Sequence, residues 1–323
     1  MAATPEIAEA ARRLAAGEVV AFPTETVYGL GADAANPQAV RRIFTLKGRP
    51  TDHPLIVHFA DPAALSQWAT FIPPAARVLA KRFWPGPLTM ILRKGREVPF
   101  EVTGGQETVG LRCPSHPIAR ALLTEFARIG SGIVAAPSAN RFGHVSPTTA
   151  EHVRSEFGDG IPVLDGGACE VGLESTIIDL SRDEPVLLRP GGVSRAAIAQ
   201  ALGMAPRERD AAAPRASGTL AAHYAPRTPV RLVTAAEADT ASPDDAVLAL
   251  HACPRGVTPL QWMNAAHDAV GYGHDLYARL RELDAQGARR ILVEAPPRDA
   301  DWEAVNDRLL RAAAGAVQAA DDP

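Results

Sequence analysis

Phe22-Pro23-Thr24-Glu25-Thr26-Val27-Tyr28-Gly29-Leu30-Gly31 is the stretch around which the rest of the chain is organised. It follows the apolar run Val19-Val20-Ala21, which predicts a buried strand. Strands of α/β proteins that end in small polar residues often present those groups to a ligand. The alternative is a plain strand-to-loop turn, in which Gly29 and Gly31 supply positive φ and the threonines make local hydrogen bonds.

Length and composition predict a globular protein of two domains. The chain has 323 residues, 46% hydrophobic and 22% charged, enough for a sizeable core. No apolar run approaches the roughly 20 residues that span a bilayer, and Met1–Ala10 lacks the basic and apolar regions of a signal peptide. Cys113, Cys169 and Cys253 form no CxxC pair, which favours a reducing compartment. We therefore expect a cytoplasmic protein with no membrane partner.

Charge is distributed unevenly along the chain. The net charge is −4, yet residues 1–100 carry 12 Lys and Arg against 8 Asp and Glu. Residues 101–203 carry 8 against 12, and residues 204–323 carry 13 against 17. A basic excess confined to the first third favours a local anion site over a broad nucleic-acid footprint.

Hydrophobic patterning predicts mixed strands and helices in the first 203 residues. Strands are predicted at Val19–Phe22, Leu55–Phe59, Leu88–Leu92, Thr108–Arg112, Ile133–Ala136, Ile161–Leu164, Ser175–Leu180 and Val186–Arg189. Helices are predicted from Thr4-Pro5 to Gly17, from Asn36-Pro37 to Lys47, at Pro74–Phe83, at Pro117–Phe126, from Ser146-Pro147, and at Ser194–Leu202. Several strands follow one another without a helix, which favours an α/β fold of the mixed, α+β-like kind, with a twisted sheet and packed helices.

The composition changes after residue 203. Residues 204–228 are rich in Ala, Pro and Arg, which is typical of a linker, although His223-Tyr224 is unusual for a plain spacer. Residues 229–323 are predicted to form a small α/β domain. Its strands are predicted at Val230–Val233, Val247–Leu250 and Ile291–Val293, and its helices at His267–Leu283 and Trp302–Ala314. The predicted limits are therefore 1–203, 204–228 and 229–323.

Two short pairs of polar residues are candidates for chemistry. Lys47 and Arg49 flank a glycine and would suit a polyphosphate, but a helix C-terminus favours the same Lys-Gly-Arg-Pro pattern. Ser138 and Asn140 follow a predicted strand, where they would present a hydroxyl and an amide, but Ser and Asn are also common turn formers.

Other polar residues are weaker candidates. His53 and His58 do not have the spacing of metal ligands, and Cys113 has no identifiable base partner. Arg112 and Arg189 each end a predicted strand, where an arginine is either a solvated end or an anion ligand. No P-loop, dinucleotide fingerprint or nucleophile elbow is present, so a bound nucleotide would need a different cradle.

Five motifs occur in order: Pro23–Gly31, Lys47–Pro50, Pro54–His58, Pro137–Asn140 and Ser146–Thr149. Together they resemble the YrdC family, in the long two-domain form of the threonylcarbamoyl-AMP synthases. The resemblance extends through His223–Pro226 and more loosely to the end. It implies a YrdC-type catalytic domain at 1–203, a lid at 204–228 and a Rossmann-like C-terminal domain.

The resemblance also implies roles for particular residues. Lys47 and Arg49 would be catalytic. The threonine site would comprise Thr26, His58, Arg112, Ala136 and Ser175. The ATP site would comprise Lys47, Arg49, His53, Thr108, Ser138, Asn140, Ser146, Arg189 and Tyr224. His53 stands where the family commonly has Asn. No metal ligand from the protein is expected, because ATP would hold the Mg²⁺.

The implied reaction joins L-threonine, bicarbonate and ATP into threonylcarbamoyl-AMP with release of pyrophosphate. Partners would be these substrates, the downstream tRNA threonylcarbamoyltransferase machinery, and tRNA itself through a weak contact. One alternative is an RNA-binding module for tRNA or double-stranded RNA without synthase activity, which the negative charge disfavours. A second is a relative that uses carbamoyl-phosphate, which usually carries zinc-type Cys motifs that this chain lacks.

Overall fold

The computed structural model describes residues 4–321, and the side chains of residues 4–315. Residues 1–3 and 322–323, which the predicted domain limits include, lie outside the described residues. The chain forms two compact units. The N-terminal unit runs to Phe142 and adds Pro147–Glu170 and Glu174–Thr219; the C-terminal unit comprises Gly143–Ser146, Val171–Leu173 and the chain from Leu220 onward. The limits 1–203, 204–228 and 229–323 stay a prediction. None of the described helices is long and apolar enough to cross a membrane.

The N-terminal unit is a mixed sheet with packed helices. Its strands are β1 Val20–Phe22, β2 Gly29–Asp33, β3 Ile56–Phe59, β4 Leu88–Arg93, β5 Thr108–Arg112, β6 Ile133–Ala135, β7 Thr176–Asp179, β8 Val186–Arg189 and β9 Arg207–Glu208. Its helices are α1 Pro5–Ala15, α2 Pro37–Lys47, α3 Leu65–Trp68, α4 Pro74–Phe83, α5 Phe100–Thr103, α6 Pro117–Ile129, α7 Ala150–Phe157 and α8 Arg195–Leu202. Within the described residues the sheet has nine strands, in the order β1-β2-β6-β3-β5-β4-β7-β8-β9.

This sheet contains both parallel and antiparallel pairs of strands. The pair β3–β5 is parallel, β5–β4 is antiparallel and β4–β7 is parallel. This arrangement confirms the predicted mixed α/β sheet.

Local signals set the helix ends. Thr4 and Asn36 cap the first two helices with their side chains, and a proline begins each helix. Gly48 ends α2 in the left-handed conformation, with φ at 63°, as helix C-caps commonly do. These caps confirm the predicted start of both helices and the predicted end of α2, while α1 ends at Ala15, two residues before Gly17.

Side-chain alternation gives the sheet two distinct faces. Val57, Met90 and Leu111 point from the central strands into the main core with α2, α4 and α8. On the opposite face, α1 and α6 pack over the β1–β2–β6 end, where they meet Phe22 and Val134. Further along that second face, Ile177 and its apolar neighbours pack against residues 213 and 216 of the linker segment. The candidate site lies on this second face.

The structure corrects part of the opening stretch. Gly29 and Gly31 belong to β2, which pairs antiparallel with β1, and neither has positive φ. A Cβ at Gly31 would lie 2.7 Å from both Phe22 and Val134. Close packing, not a turn conformation, therefore explains that glycine. The predicted local hydrogen bonds are present, since Thr24 Oγ1 donates to the Val27 carbonyl at 2.6 Å.

Two further predictions of local structure are wrong. No helix opens at Ser146-Pro147; α7 begins at Ala150, with Thr149 as its cap. The run Ile161–Leu164 makes one isolated bridge, from Val163 to Ala21, instead of a strand, because apolar character alone does not supply a strand partner. The sequence analysis did not predict the short strands β2, β9 and, in the C-terminal unit, Gln261–Asn264.

The C-terminal unit is a small parallel sheet with helices. Its elements are β10 Val230–Val233, α9 Ala235–Ala238, β11 Asp245–Ala249, β12 Gln261–Asn264, α10 Ala269–Asp284, β13 Arg290–Glu294 and α11 Glu303–Asp321. Within the described residues the strand order is β10-β13-β11-β12 and all three pairings are parallel. The predicted Rossmann-like character is thereby confirmed.

Candidate active site

Polar side chains cluster on the second face of the N-terminal sheet. His58 on β3 is directly paired with Arg112 on the parallel neighbour β5. Thr108 lies on the same face at the start of β5, because residues four apart in a strand share a face. His58 and Arg112 are buried, so their polar groups need partners within the protein.

A buried cluster joins the opening stretch to the end of β5. One guanidinium nitrogen of Arg112, Nη2, donates to Thr26 Oγ1 at 2.9 Å and lies 2.8 Å from Glu25 Oε1. Thr24 Oγ1 lies 2.9 Å from Thr26 Oγ1. Two residues of the predicted threonine site, Thr26 and Arg112, are therefore in direct contact.

His58 is buried beside this cluster. Its Nδ1 lies 3.1 Å from the Ile56 carbonyl oxygen. Burial, together with the nearby positive charge of Arg112, lowers the pKa of His58 to about 3. At neutral pH the ring is uncharged, so it can pack or make hydrogen bonds but cannot neutralise an anion.

Ser175 and Arg189 form a second contact within the predicted set. The Ser175 hydroxyl lies 2.7 Å from Thr89 Oγ1. Arg189 donates to the Ser175 carbonyl from Nη2 at 2.8 Å and from Nε at 3.2 Å. A predicted threonine contact and a predicted ATP contact thus adjoin at the β4–β7–β8 side of the face.

The amine of Lys47 lies among main-chain oxygens. Its Nζ donates to the Ser138 carbonyl at 2.6 Å and also to the Asn140 carbonyl. Burial lowers the pKa of Lys47 well below its usual value, and Arg49 adds to this effect. Lys47 therefore does not cap its own helix, and the structure brings it together with Ser138 and Asn140.

Arg49 and His53 both contact the ring of Phe142. Its guanidinium carbon is 5.7 Å from the centre of the Phe142 ring, and His53 meets the same ring edge-on at 5.3 Å. Burial lowers the pKa of His53, and Arg49 contributes to the lowering. Arg49 also donates to the Pro54 carbonyl at 3.0 Å.

The first part of the linker covers the sheet face. Ser217 Oγ donates to the Pro54 carbonyl at 2.8 Å, and the Ser217 carbonyl accepts from Arg189 at 2.9 Å. Arg215 and Gln106 exchange hydrogen bonds at 2.7 and 3.1 Å. A cavity of about 10 Å³ remains beside Thr108, no more than a single water molecule needs. This arrangement of the linker leaves no room for a nucleotide at Thr108.

The remaining three predicted residues are Ala136, Ser146 and Tyr224. Ala136 takes part through its main chain, which donates to the Ile56 carbonyl at 3.0 Å. Ser146 is buried in a segment of the C-terminal unit. Tyr224 also belongs to that unit, where its ring stacks on Tyr277 at 5.7 Å and lies under Arg308 at 5.2 Å.

Sequence reasoning missed three residues of the clusters. Glu25 pairs with Arg112, Thr89 contacts Ser175, and Ser217 contacts Arg189. A lone acidic residue in an otherwise uncharged stretch was the available signal for Glu25. Thr89 alternates with apolar residues of β4, and its face could not be assigned before the sheet order was known.

Charge is the chemical property that the site offers. Lys47, Arg49, Arg112 and Arg189 are all buried, and buried cations favour anionic ligands. Among the described residues, no group of three or more His, Cys, Asp and Glu could hold a metal ion.

Two family models cover most of the chain. The Sua5–YciO–YrdC model, described as telomere recombination, matches residues 12–191. The model described as the threonylcarbamoyl-AMP synthase C-terminal domain matches residues 193–314.

Individual relatives agree with these matches. The threonylcarbamoyl-AMP synthase of Bacillus subtilis is 39% identical, over 97% of this chain and 94% of its own length. The synthase of Schizosaccharomyces pombe is 36% identical, over 91% and 84%. A crystal structure of Pyrococcus abyssi Sua5 complexed with L-threonine superposes with a TM-score of 0.88, at 38% identity, covering 96% of this chain and 94% of that one.

Proposed function

This chain belongs to the Sua5–YciO–YrdC family, in the two-domain form of the threonylcarbamoyl-AMP synthases, and on that premise we propose its reaction. The substrates are L-threonine, bicarbonate and ATP, and the products are threonylcarbamoyl-AMP and pyrophosphate. The product would serve the threonylcarbamoyladenosine modification of tRNA, through a downstream transferase in the cytoplasm.

The contact between Thr26 and Arg112 carries this proposal. A guanidinium binds a carboxylate through two parallel donors, and a hydroxyl beside it suits an amino acid with its own hydroxyl. The similar Pyrococcus protein was crystallised with L-threonine, which supports a threonine site here. A site with paired hydrogen-bonding groups rejects analogues that leave those groups unpaired.

Lys47 and Arg49 would bind the ATP phosphates. The buried amine of Lys47 now faces the Ser138 and Asn140 carbonyls, and a triphosphate would give it an anionic partner. Mg²⁺ would enter with ATP and neutralise part of the phosphate charge. The linker would have to move away from Thr108 before nucleotide could enter, since the present cavity is about 10 Å³.

The chemistry needs positioning more than covalent help. The threonine amine attacks bicarbonate, and loss of water leaves a carbamate. A carbamate oxygen then attacks the α-phosphorus of ATP, and the bond to the β-phosphate oxygen breaks to release pyrophosphate. Both reactants are anions, so buried cations that hold them together lower the barrier.

A substrate-omission assay tests the proposal. Purified protein is incubated with ATP, Mg²⁺, bicarbonate and threonine, and pyrophosphate is measured with each component left out in turn. We expect release only in the complete mixture, with threonylcarbamoyl-AMP identified by mass. Release without threonine, or none at all, would refute the proposed reaction. RNA binding by a protein that gives no release would favour the alternative of an RNA-binding module.

A further inference from the structure

Glu25 is a buried carboxylate that the predicted substrate contacts do not include. Its side chain is 3% exposed, and it is the one charged residue in Phe22–Gly31. Burying an ionised carboxylate is costly unless it is paired and hydrogen-bonded. An ionised carboxylate at position 25 therefore needs a charged or hydrogen-bonding partner within the protein.

The two oxygens of Glu25 hold different groups. Oε2 accepts a hydrogen bond from the Ser115 main-chain N–H at 3.1 Å, which fixes the carboxylate to the loop after β5. Oε1 lies 2.8 Å from Arg112 Nη2, as an ion pair whose angles fall outside hydrogen-bond geometry. The carboxylate is thus anchored on one side and holds the guanidinium on the other.

Not all hydrogen-bond donors of the Arg112 guanidinium have partners within the described part of the chain. Its Nη2 donates to Thr26 Oγ1 at 2.9 Å, while its Nε is buried without a hydrogen-bond partner among the described residues. A guanidinium carries five N–H donors in one rigid plane, and an unmet buried donor is costly. The unmet donor belongs to the same plane that Glu25 and Thr26 hold in place.

We propose that Glu25 is a positioning residue of the threonine site. It fixes the plane of the Arg112 guanidinium through Nη2, and this leaves the unpaired Nε for the threonine carboxylate. It acts through Arg112 and does not touch the reacting atoms. This inference rests on the proposed function, because it takes threonine as the ligand of Arg112.

The charge, more than the shape, carries this role. Gln at position 25 keeps the size of the side chain and an oxygen for the Ser115 N–H, but it removes the ion pair. The guanidinium plane would then be free to turn. Small misplacements of a binding group can cost up to 100-fold in rate, so we expect the threonine KM to rise roughly 10- to 100-fold.

The test is a double-mutant cycle between Glu25→Gln and Arg112→Lys. Threonine KM, ATP KM and kcat are measured for the wild type, Glu25→Gln, Arg112→Lys and the double variant. Glu9→Gln is the control, because it removes an exposed ion pair of the same 2.8 Å length, with Arg12. Glu25→Asp keeps the charge on a shorter side chain; if Glu25→Gln does not fold, the test is whether Glu25→Asp raises the threonine KM more than the ATP KM.

The proposal predicts a specific pattern. In Glu25→Gln the threonine KM rises at least about 10-fold while the ATP KM stays within about twofold. In the Arg112→Lys background, Glu25→Gln causes no further rise in the threonine KM, because the two residues act as one unit. Glu25→Asp recovers part of the threonine affinity. Equal rises in both KM values, additive effects in the double variant, or an unchanged threonine KM would overturn it. Wild-type release of pyrophosphate without threonine would instead refute the proposed function.

Discussion

The side-chain amine of Lys47 lies 2.6 Å from the main-chain oxygen of Ser138, 91 positions later in the chain. Lys47 ends α2 and Ser138 follows β6, so the contact joins the end of a helix to the end of a strand. The amine is buried among carbonyls and its pKa is lowered well below the usual value. Such an amine would bind an anionic partner, because an anion would stabilise its charged form.

Lys47→Met should abolish most of the turnover in a protein that still folds. Methionine retains the length of the side chain but supplies no donor to the phosphates, and loss of one such donor commonly costs about 100- to 1,000-fold in rate. Pyrophosphate release measures the effect and circular dichroism checks the fold. Lys81→Met is the control, since Lys81 is an exposed residue of the last turn of α4. Full activity in Lys47→Met would leave this residue with a purely structural role.

Acid should destabilise the N-terminal unit through His58. The pKa of His58 is lowered to about 3 in the folded protein, against about 6.5 in an unfolded chain. As pH falls below about 6.5 the unfolded state takes up the proton first, so the stability present above that pH is lost progressively down to about 3. Between pH 7.5 and 4.5 we expect this residue to remove about 3 kcal/mol.

Urea unfolding at the two pH values measures that loss. His58→Asn should lose less stability on acidification than the wild type, because the group that binds the proton is gone. His267→Asn, at an exposed position, should behave as the wild type does. Equal acid sensitivity in all three proteins would contradict the prediction.

Gly31→Ala should destabilise the protein by overpacking. A Cβ there would lie 2.7 Å from Phe22 Cε1 and from Val134 Cγ1, and forced packing of this kind costs about 1–3 kcal/mol. Gly29→Ala is the matched comparison, because the nearest atom, Ala136 Cβ, would lie 3.2 Å away. Denaturant midpoints should fall more for Gly31→Ala than for Gly29→Ala. The reverse order would contradict the packing explanation.

Loosening the linker should ease nucleotide binding. Gln106→Ala removes the two hydrogen bonds with the Arg215 main chain, each worth about 1 kcal/mol. We expect ATP to bind a few-fold more tightly, because displacing the linker costs less, and a protease to cut residues 204–219 faster. Arg128→Ala, an exposed change on α6, serves as the control. Unchanged cleavage and affinity would mean that these bonds do not hold the linker closed.

Tyr224→Ala should shorten the lifetime of the product if this tyrosine covers the nucleotide during turnover. We expect weaker ATP retention and faster hydrolysis of threonylcarbamoyl-AMP. Arg308→Met is the comparison, since Arg308 packs on the Tyr224 ring in the C-terminal unit and its loss disturbs packing without removing the tyrosine. A similar loss in both variants would point to packing, and unchanged affinity and lifetime would count against a lid.

The sequence by itself determined much of the local structure and indicated the family. Asn36-Pro37 and Gly48 marked the ends of α2, alternating apolar residues marked the strand Thr108–Arg112, and a short apolar run marked Val186–Arg189. These signals are local, because caps and side-chain alternation depend on neighbours within a few positions. The five ordered motifs were enough to indicate the YrdC resemblance.

Only the tertiary structure decided which polar groups meet. The order of strands places Glu25 against Arg112, Lys47 against Ser138, and Ser217 of the linker against Arg189. Each contact spans residues far apart in the chain, and nothing in the flanking residues specifies the partner. A buried charge is stable only with its partner in place. For that reason the sequence located Glu25 in a candidate binding stretch, while its partnership with Arg112 became evident only from the folded sheet.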